Sequence, residues 1–130
     1  MIALHHVQIS CPPDGEDGAR RFYGEGLGLT EVEKPAALQG RGGAWFRGYD
    51  VRGAVSAEIH VGVEDPFTPA SKAHPAFVVE DLYAVAGALV SAGFVVDERE
   101  RDTFAGYRRF HTHDAAGNRV EVLAPCRDLS

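Results

Sequence analysis

The chain carries one order of elements twice, and this duplication restricts its possible folds more than any single residue does. The first copy opens with LHHVQIS and closes with SAEIHVGVE; the second opens with KAHPAFVV and closes with GNRVEVLAP. Each segment holds one polar residue with non-polar residues at the first and third positions after it. His6 precedes Val7 and Ile9, His60 precedes Val61 and Val63, His74 precedes Pro75 and Phe77, and Glu121 precedes Val122 and Ala124. Strand side chains alternate faces, so one face of each segment is expected to pack inward while the other presents the His or Glu.

The elements between these segments repeat as well. After a strand over 2–10, the Cys-Pro-Pro-Asp-Gly stretch forces a loop. A helix is predicted over 16–26, with Ala19, Phe22, Tyr23 and Leu27 at helical spacing and Gly28 as its stop. Strands are predicted over 29–34, 43–49 and 54–63. The second copy gives a strand over 74–80 and a helix from Asp81 to Ala92, whose buried stripe is Leu82, Val85, Ala86, Leu89 and Val90 and whose stop is Gly93. Strands over 94–99, 106–113 and 118–124 follow, the last two joined by the turn Asp114-Ala115-Ala116-Gly117-Asn118.

The expected fold is therefore α+β: one domain over 1–130, made of two β-α-β-β-β modules, 1–64 and 74–126, joined by a linker over 65–73. A four-stranded sheet with one helix has only one face covered. The bare face requires the other module or a second chain.

Composition narrows the function. The net charge is −6, and basic residues never cluster beyond pairs such as Arg20–Arg21 and Arg108–Arg109. Nucleic acid is not expected as the main partner, since phosphate neutralisation needs a concentrated basic face. No apolar run approaches the ~20 residues of a membrane span. The strand pattern begins within a few residues of Met1, so no signal peptide is expected. The two cysteines, Cys11 and Cys126, are read as free thiols in a cytoplasmic protein.

The segments LHHVQIS and ARRFYGEGLGLTEV, the HPAFVVEDL opening and the HDAAGNRVEVLAP ending together resemble the vicinal oxygen chelate superfamily. It includes glyoxalase I, extradiol dioxygenases, methylmalonyl-CoA epimerase, and the fosfomycin and bleomycin resistance proteins. The resemblance covers nearly the whole chain. It implies paired modules curled into a half-open barrel around a divalent metal, often with modules from two chains, and hence a homodimer. It places metal ligands on the first and fourth strands of each module, here His6, His60, His74 and Glu121. Glu58, on the same side of its strand as His60, is an alternative fourth ligand.

Imidazole and carboxylate without thiolate suit Zn, Ni, Mn, Fe or Co. Such an ion chelates adjacent oxygens of a small-molecule substrate as a Lewis acid, and resemblance to glyoxalase I implies Glu121 as general base. Four ligands point to a metal-dependent lyase or isomerase. His6, His74 and Glu121 alone would form a 2-His-1-carboxylate triad suited to a dioxygenase. A non-catalytic drug-binding protein is the reading from another class. Trp45, Arg47 and Arg109 are candidate substrate contacts, with His111 alternating in phase with Arg109 and with Phe46 and Phe110 on the opposite face. His5, His111 and His113 are read as surface or hydrogen-bonded histidines. Arg109 or Arg47 would compensate Glu121 in a metal-free member.

Overall fold

The computed structural model describes residues 1–126. The first module comprises β1 (Val7–Cys11), α1 (Glu16–Ala19), a π-helical stretch over Arg20–Gly26, β2 (Thr30–Val32), β3 (Ala44–Tyr49) and β4 (Val55–Val63). The second comprises β5 (Ala76–Val78), α2 (Leu82–Ser91), β6 (Tyr107–His113) and β7 (Arg119–Pro125). Residues 64–75 between them form no helix or strand. Two sheets result, in the orders β1-β4-β3-β2 and β5-β7-β6, and neither closes into a barrel.

The duplication is visible in the pairing. In each module the first strand runs parallel to the last, with Val7 opposite Ile59 and Phe77 opposite Val122. In each, the last strand runs antiparallel to the one before it in sequence, with Phe46 opposite Ile59 and Phe110 opposite Val122. Those four inward residues of the last two strands join Phe22, Tyr23, Leu89 and Phe94 in one core cluster shared by both modules.

The structure departs from the sequence-based expectation in three places. No strand forms over 94–99; only a single bridge joins Asp97 to His111. Instead the Asp97 carboxylate accepts the Arg99 backbone N–H at 3.0 Å and grips its guanidinium. A local side-chain acceptor turns the chain out of an extended ladder. The opening strand of each module is also shorter than expected, so His6 and His74 lie just ahead of β1 and β5 rather than within them. Finally, the first helix changes from α to π at Arg20, with Leu27 N–H reaching the Phe22 carbonyl.

Both helices stop at a glycine with positive φ, Gly28 at 76° and Gly93 at 96°. After α2, Gly93 N–H bonds the Val90 carbonyl and Phe94 N–H bonds the Leu89 carbonyl, a Schellman closure that satisfies the last carbonyls. Its start is capped by Asp81, which accepts Ala84 N–H at 3.0 Å. The helices meet at Gly26, where a Cβ would lie 2.5 Å from Leu89 Cδ2.

Residues of the ARRFYGEGLGLTEV and HDAAGNRVEVLAP segments stitch the modules together. Asp114 accepts N–H bonds from Ala116 and Asn118 and so closes the β6–β7 turn. Its other carboxylate oxygen accepts the buried Tyr23 hydroxyl at 2.8 Å. Asn118 donates through Nδ2 to the Ser10 carbonyl on β1. Burial first, and then the neighbouring Asp114 charge, push the Tyr23 hydroxyl well above its ordinary pKa, so it stays a donor.

Candidate metal centre

Strand register aligns two polar clusters on the sheet faces turned away from the core. In the second module His111 on β6 lies directly opposite Glu121 on β7. Paired residues of an antiparallel ladder project to the same side. His74, entering β5, brings its Nε2 to 3.0 Å from Glu121 Oε1, and His111 Nε2 lies 3.6 Å from that same oxygen. One ligand atom from each of the three residues lies within 4.8 Å of the others. Among the described residues this is the group whose donors are spaced to hold a metal ion.

The hydrogen bonding of His74 tests whether a metal suits this group. Its Nδ1 lies 2.7 Å from the Lys72 carbonyl oxygen, which can only accept, so Nδ1 carries the hydrogen. The Nε2 contact with Glu121 Oε1 then takes one of two forms, a hydrogen bond from a ring that carries a second proton or a metal ion shared by the two atoms. Ligating histidines commonly donate their other N–H to a backbone carbonyl, as here, which fixes the tautomer that binds. Burial lowers the pKa of His111, keeping it neutral and able to ligate. Burial alone would raise the pKa of Glu121, but hydrogen bonds from His74 and Arg109 hold it below the usual range. The donor set fits a divalent ion.

The first module holds a different arrangement at the equivalent positions. Trp45 on β3 lies opposite His60 on β4, as His111 lies opposite Glu121. Trp45 and His60 are stacked with centroids 3.6 Å apart, and His6 stacks on His60 at 3.9 Å. His60 Nε2 lies 2.6 Å from Glu58 Oε2, and Arg47 Nε donates to Glu58 Oε1 at 2.8 Å. A π stack joined to an ion pair therefore stands where the second module has three convergent donors.

Of the four expected ligands, the structure brings His74 and Glu121 together in one group and places His6 and His60 in the stack on the other module. Glu58 faces the same side as His60, as its strand phase implied, but is paired with His60 and Arg47. Both candidate substrate arginines already hold carboxylates of their own chain: Arg47 holds Glu58, and Arg109 holds Glu121 at 3.2 Å. Phe46 and Phe110 point into the core as expected. The residue that the sequence reading left out of the ligand set is His111, which is buried beside Glu121. The turn over 114–118 carried the signal, because a closed hairpin there sets residue 111 opposite residue 121.

The family model of the Glyoxalase/Bleomycin resistance protein/Dioxygenase superfamily matches residues 4–122. The chain belongs to this superfamily. A glyoxalase family protein from Bacillus anthracis is similar at 36% identity, with 97% of each chain covered and a TM-score of 0.85. The fosfomycin resistance protein FosX from Listeria monocytogenes shares the fold at 13% identity, covering 98% of this chain and 97% of that one, with a TM-score of 0.69. TnmS3, an antibiotic binding protein from Streptomyces sp. CB03234, shares it at 20% identity, covering 97% and 99%, with a TM-score of 0.64. No curated protein matches the chain.

By their descriptions these relatives include a fosfomycin resistance protein and an antibiotic binding protein. Cavities of about 400 Å³ and about 440 Å³ flank the junction of the modules. Leu4, His6, Glu58 and Phe77 line the first; Gln8, His74, Asn118 and Arg119 line the second. Among the described residues no helix is long and apolar enough to cross a membrane.

Proposed function

We propose that this protein is a metal-dependent enzyme of the lyase or isomerase type, acting on a small oxygenated substrate. The reading rests on one observation: donor atoms of His74, His111 and Glu121 converge within 4.8 Å of one another, with His74 Nε2 3.0 Å from Glu121 Oε1. A divalent ion bound there would act as a Lewis acid on a chelating pair of substrate oxygens. Zn, Ni, Mn, Fe and Co all suit the donor set.

The chain's own groups supply the rest. Glu121 is the candidate general base, because a ligating carboxylate that detaches from the ion can take up a proton from a carbon next to a carbonyl. Trp45 gives a flat apolar wall. We place the working protein in the cytoplasm as a homodimer, in which a second copy sets its stacked face, His6 and His60 included, against the His74–His111–Glu121 group. Such a dimer would add His6 to the ligands and cover sheet surface left bare in one chain. Protein loaded with each metal in turn, incubated in D2O with small hydroxyketones and 2-oxo acids, is expected to place deuterium next to the carbonyl. Exchange no faster in wild type than in Glu121→Gln would exclude this role of Glu121.

Two observations favour other readings. Two imidazoles and one carboxylate form the donor set of an Fe(II) dioxygenase. Oxygen uptake by anaerobically prepared Fe(II) protein given catechols would establish that one. The Trp45–His60–His6 stack suits a drug-binding protein that holds aromatic ligands without metal. Ligand affinity unchanged in His74→Ala and Glu121→Gln would favour it.

A further inference from the structure

The loop over 100–104, which follows the segment expected as a strand over 94–99, is tied to the candidate metal centre by the side chain of Arg109. Arg109 donates through Nη1 to Glu121 Oε2, through Nη2 to the Thr103 hydroxyl at 2.8 Å, and through Nε to the Glu100 carbonyl at 3.2 Å. Its guanidinium also lies over the Phe104 ring, 5.5 Å from the centroid. The backbone adds a bond from Arg109 N–H to the Arg101 carbonyl. Side-chain tethers also run outward from the loop, from Arg101 to the Tyr83 hydroxyl on α2 at 2.7 Å and from Asp102 to Arg108 at 3.9 Å.

The two oxygens of Glu121 are thus divided. Oε1 faces His74 and His111, while Oε2 is occupied by Arg109. We infer that Arg109 is a positioning residue: it holds Oε2 so that Glu121 offers a metal only Oε1, and it thereby couples occupancy of the site to the order of the 100–104 loop. The inference rests on the metal reading above and assigns that site its regulation.

Three physical points support it. The planar fork of arginine can hold a carboxylate and a loop hydroxyl at once, which a lysine ammonium does not do with fixed geometry. Groups that hydrogen-bond a ligating carboxylate fix its orientation, and their loss typically weakens metal affinity by about 10–100-fold. Coupling between two sites is also reciprocal, so whatever the loop contributes to the metal, the metal returns to the loop.

The test uses full-length protein stripped by chelator and titrated with Zn or Co, followed by hydrogen exchange over 98–106. In wild type, metal is expected to slow exchange in this segment. In Arg109→Gln, Zn affinity is expected to fall by about 10–100-fold, exchange over 98–106 to become metal-independent, and the visible spectrum of the Co(II) form to change as Oε2 becomes free to chelate. Tyr83→Phe loosens the loop from outside while leaving Arg109 on Glu121, so by the same reciprocity it should weaken Zn binding, but by less than Arg109→Gln, and leave the Co(II) spectrum unchanged. Wild type that binds metal without any change over 98–106 would overturn the inference and leave the metal reading standing. So would an Arg109→Gln protein with unchanged Zn affinity and Co(II) spectrum. Wild type that binds no metal would overturn both.

Discussion

The indole of Trp45 lies flat on the imidazole of His60, with ring centroids 3.6 Å apart and the planes within 1° of parallel. Trp45 is the single tryptophan of the chain, so its fluorescence reports on this contact alone. Protonated imidazole in van der Waals contact with an indole is expected to quench its emission more strongly than neutral imidazole. Burial lowers the His60 pKa, the paired Glu58 opposes this only in part, and the nearby His6 adds to the lowering. Emission should therefore fall on acidification with a midpoint below about 6.5. A His60→Gln variant should show no such transition.

A wider acid sensitivity follows from the same groups. His60 and His111 have folded-state values below their ordinary ones, so between those values and about 6.5 the unfolded chain binds more protons than the folded one. Stability is then fully present above about 6.5 and is lost as pH falls through the folded values. Glu58, held down chiefly by its bond to His60, and Glu121 add a second loss below about 4.5, as the carboxylates take up protons. Urea midpoints should be flat near neutrality and fall in these two stages. Midpoints that rise on acidification to pH 5 would contradict the assignment.

Gly26 and Leu89 set the distance between the two helices. A Cβ on residue 26 would meet the fully buried Leu89 side chain at 2.5 Å. Gly26→Ala is expected to cost about 1–3 kcal/mol through overpacking, and Leu89→Ala about 2–5 kcal/mol through the cavity left behind. Because the new methyl occupies part of that cavity, the double variant should be more stable than additivity allows. Additive losses in a urea-denaturation cycle would mean that the helices do not meet as described.

Tyr23 and Asp114 separate what holds the modules together from what performs chemistry. Tyr23→Phe removes a buried hydroxyl from a buried carboxylate, and is expected to lower stability by about 1–3 kcal/mol. Metal affinity should be unchanged, since neither residue is among His74, His111 and Glu121. A parallel loss of Zn binding by folded Tyr23→Phe protein would show that the site depends on this inter-module bond.

Much of the fold was readable because it depends on periodicity. The Val7, Val61, Phe77 and Val122 phases and the glycine stops at Gly28 and Gly93 all act within a few residues along the chain. The 94–99 segment was not readable in this way. Val95 and Val96 have strand propensity, but the Asp97 side chain captures Arg99 and bends the backbone, a competition that propensity does not express. The site was legible in part for the same reason. His74 and Glu121 follow from the repeat, whereas His111 depends on hairpin register across the 114–118 turn. The repeat also marks His6 and His60 as equivalents of His74 and Glu121. It does not show that Trp45, standing at the position of His111, turns that half into a stack of rings.

The most direct test of the central claim is metal analysis of chelator-treated protein reloaded with Zn, Ni, Mn, Fe(II) or Co and freed of excess ion. Wild type should retain a stoichiometric divalent ion, while His74→Ala, His111→Ala and Glu121→Gln should each lose it without unfolding. A wild-type chain that retains none of the five, or a folded Glu121→Gln variant that retains the ion as tightly as wild type, would contradict the account.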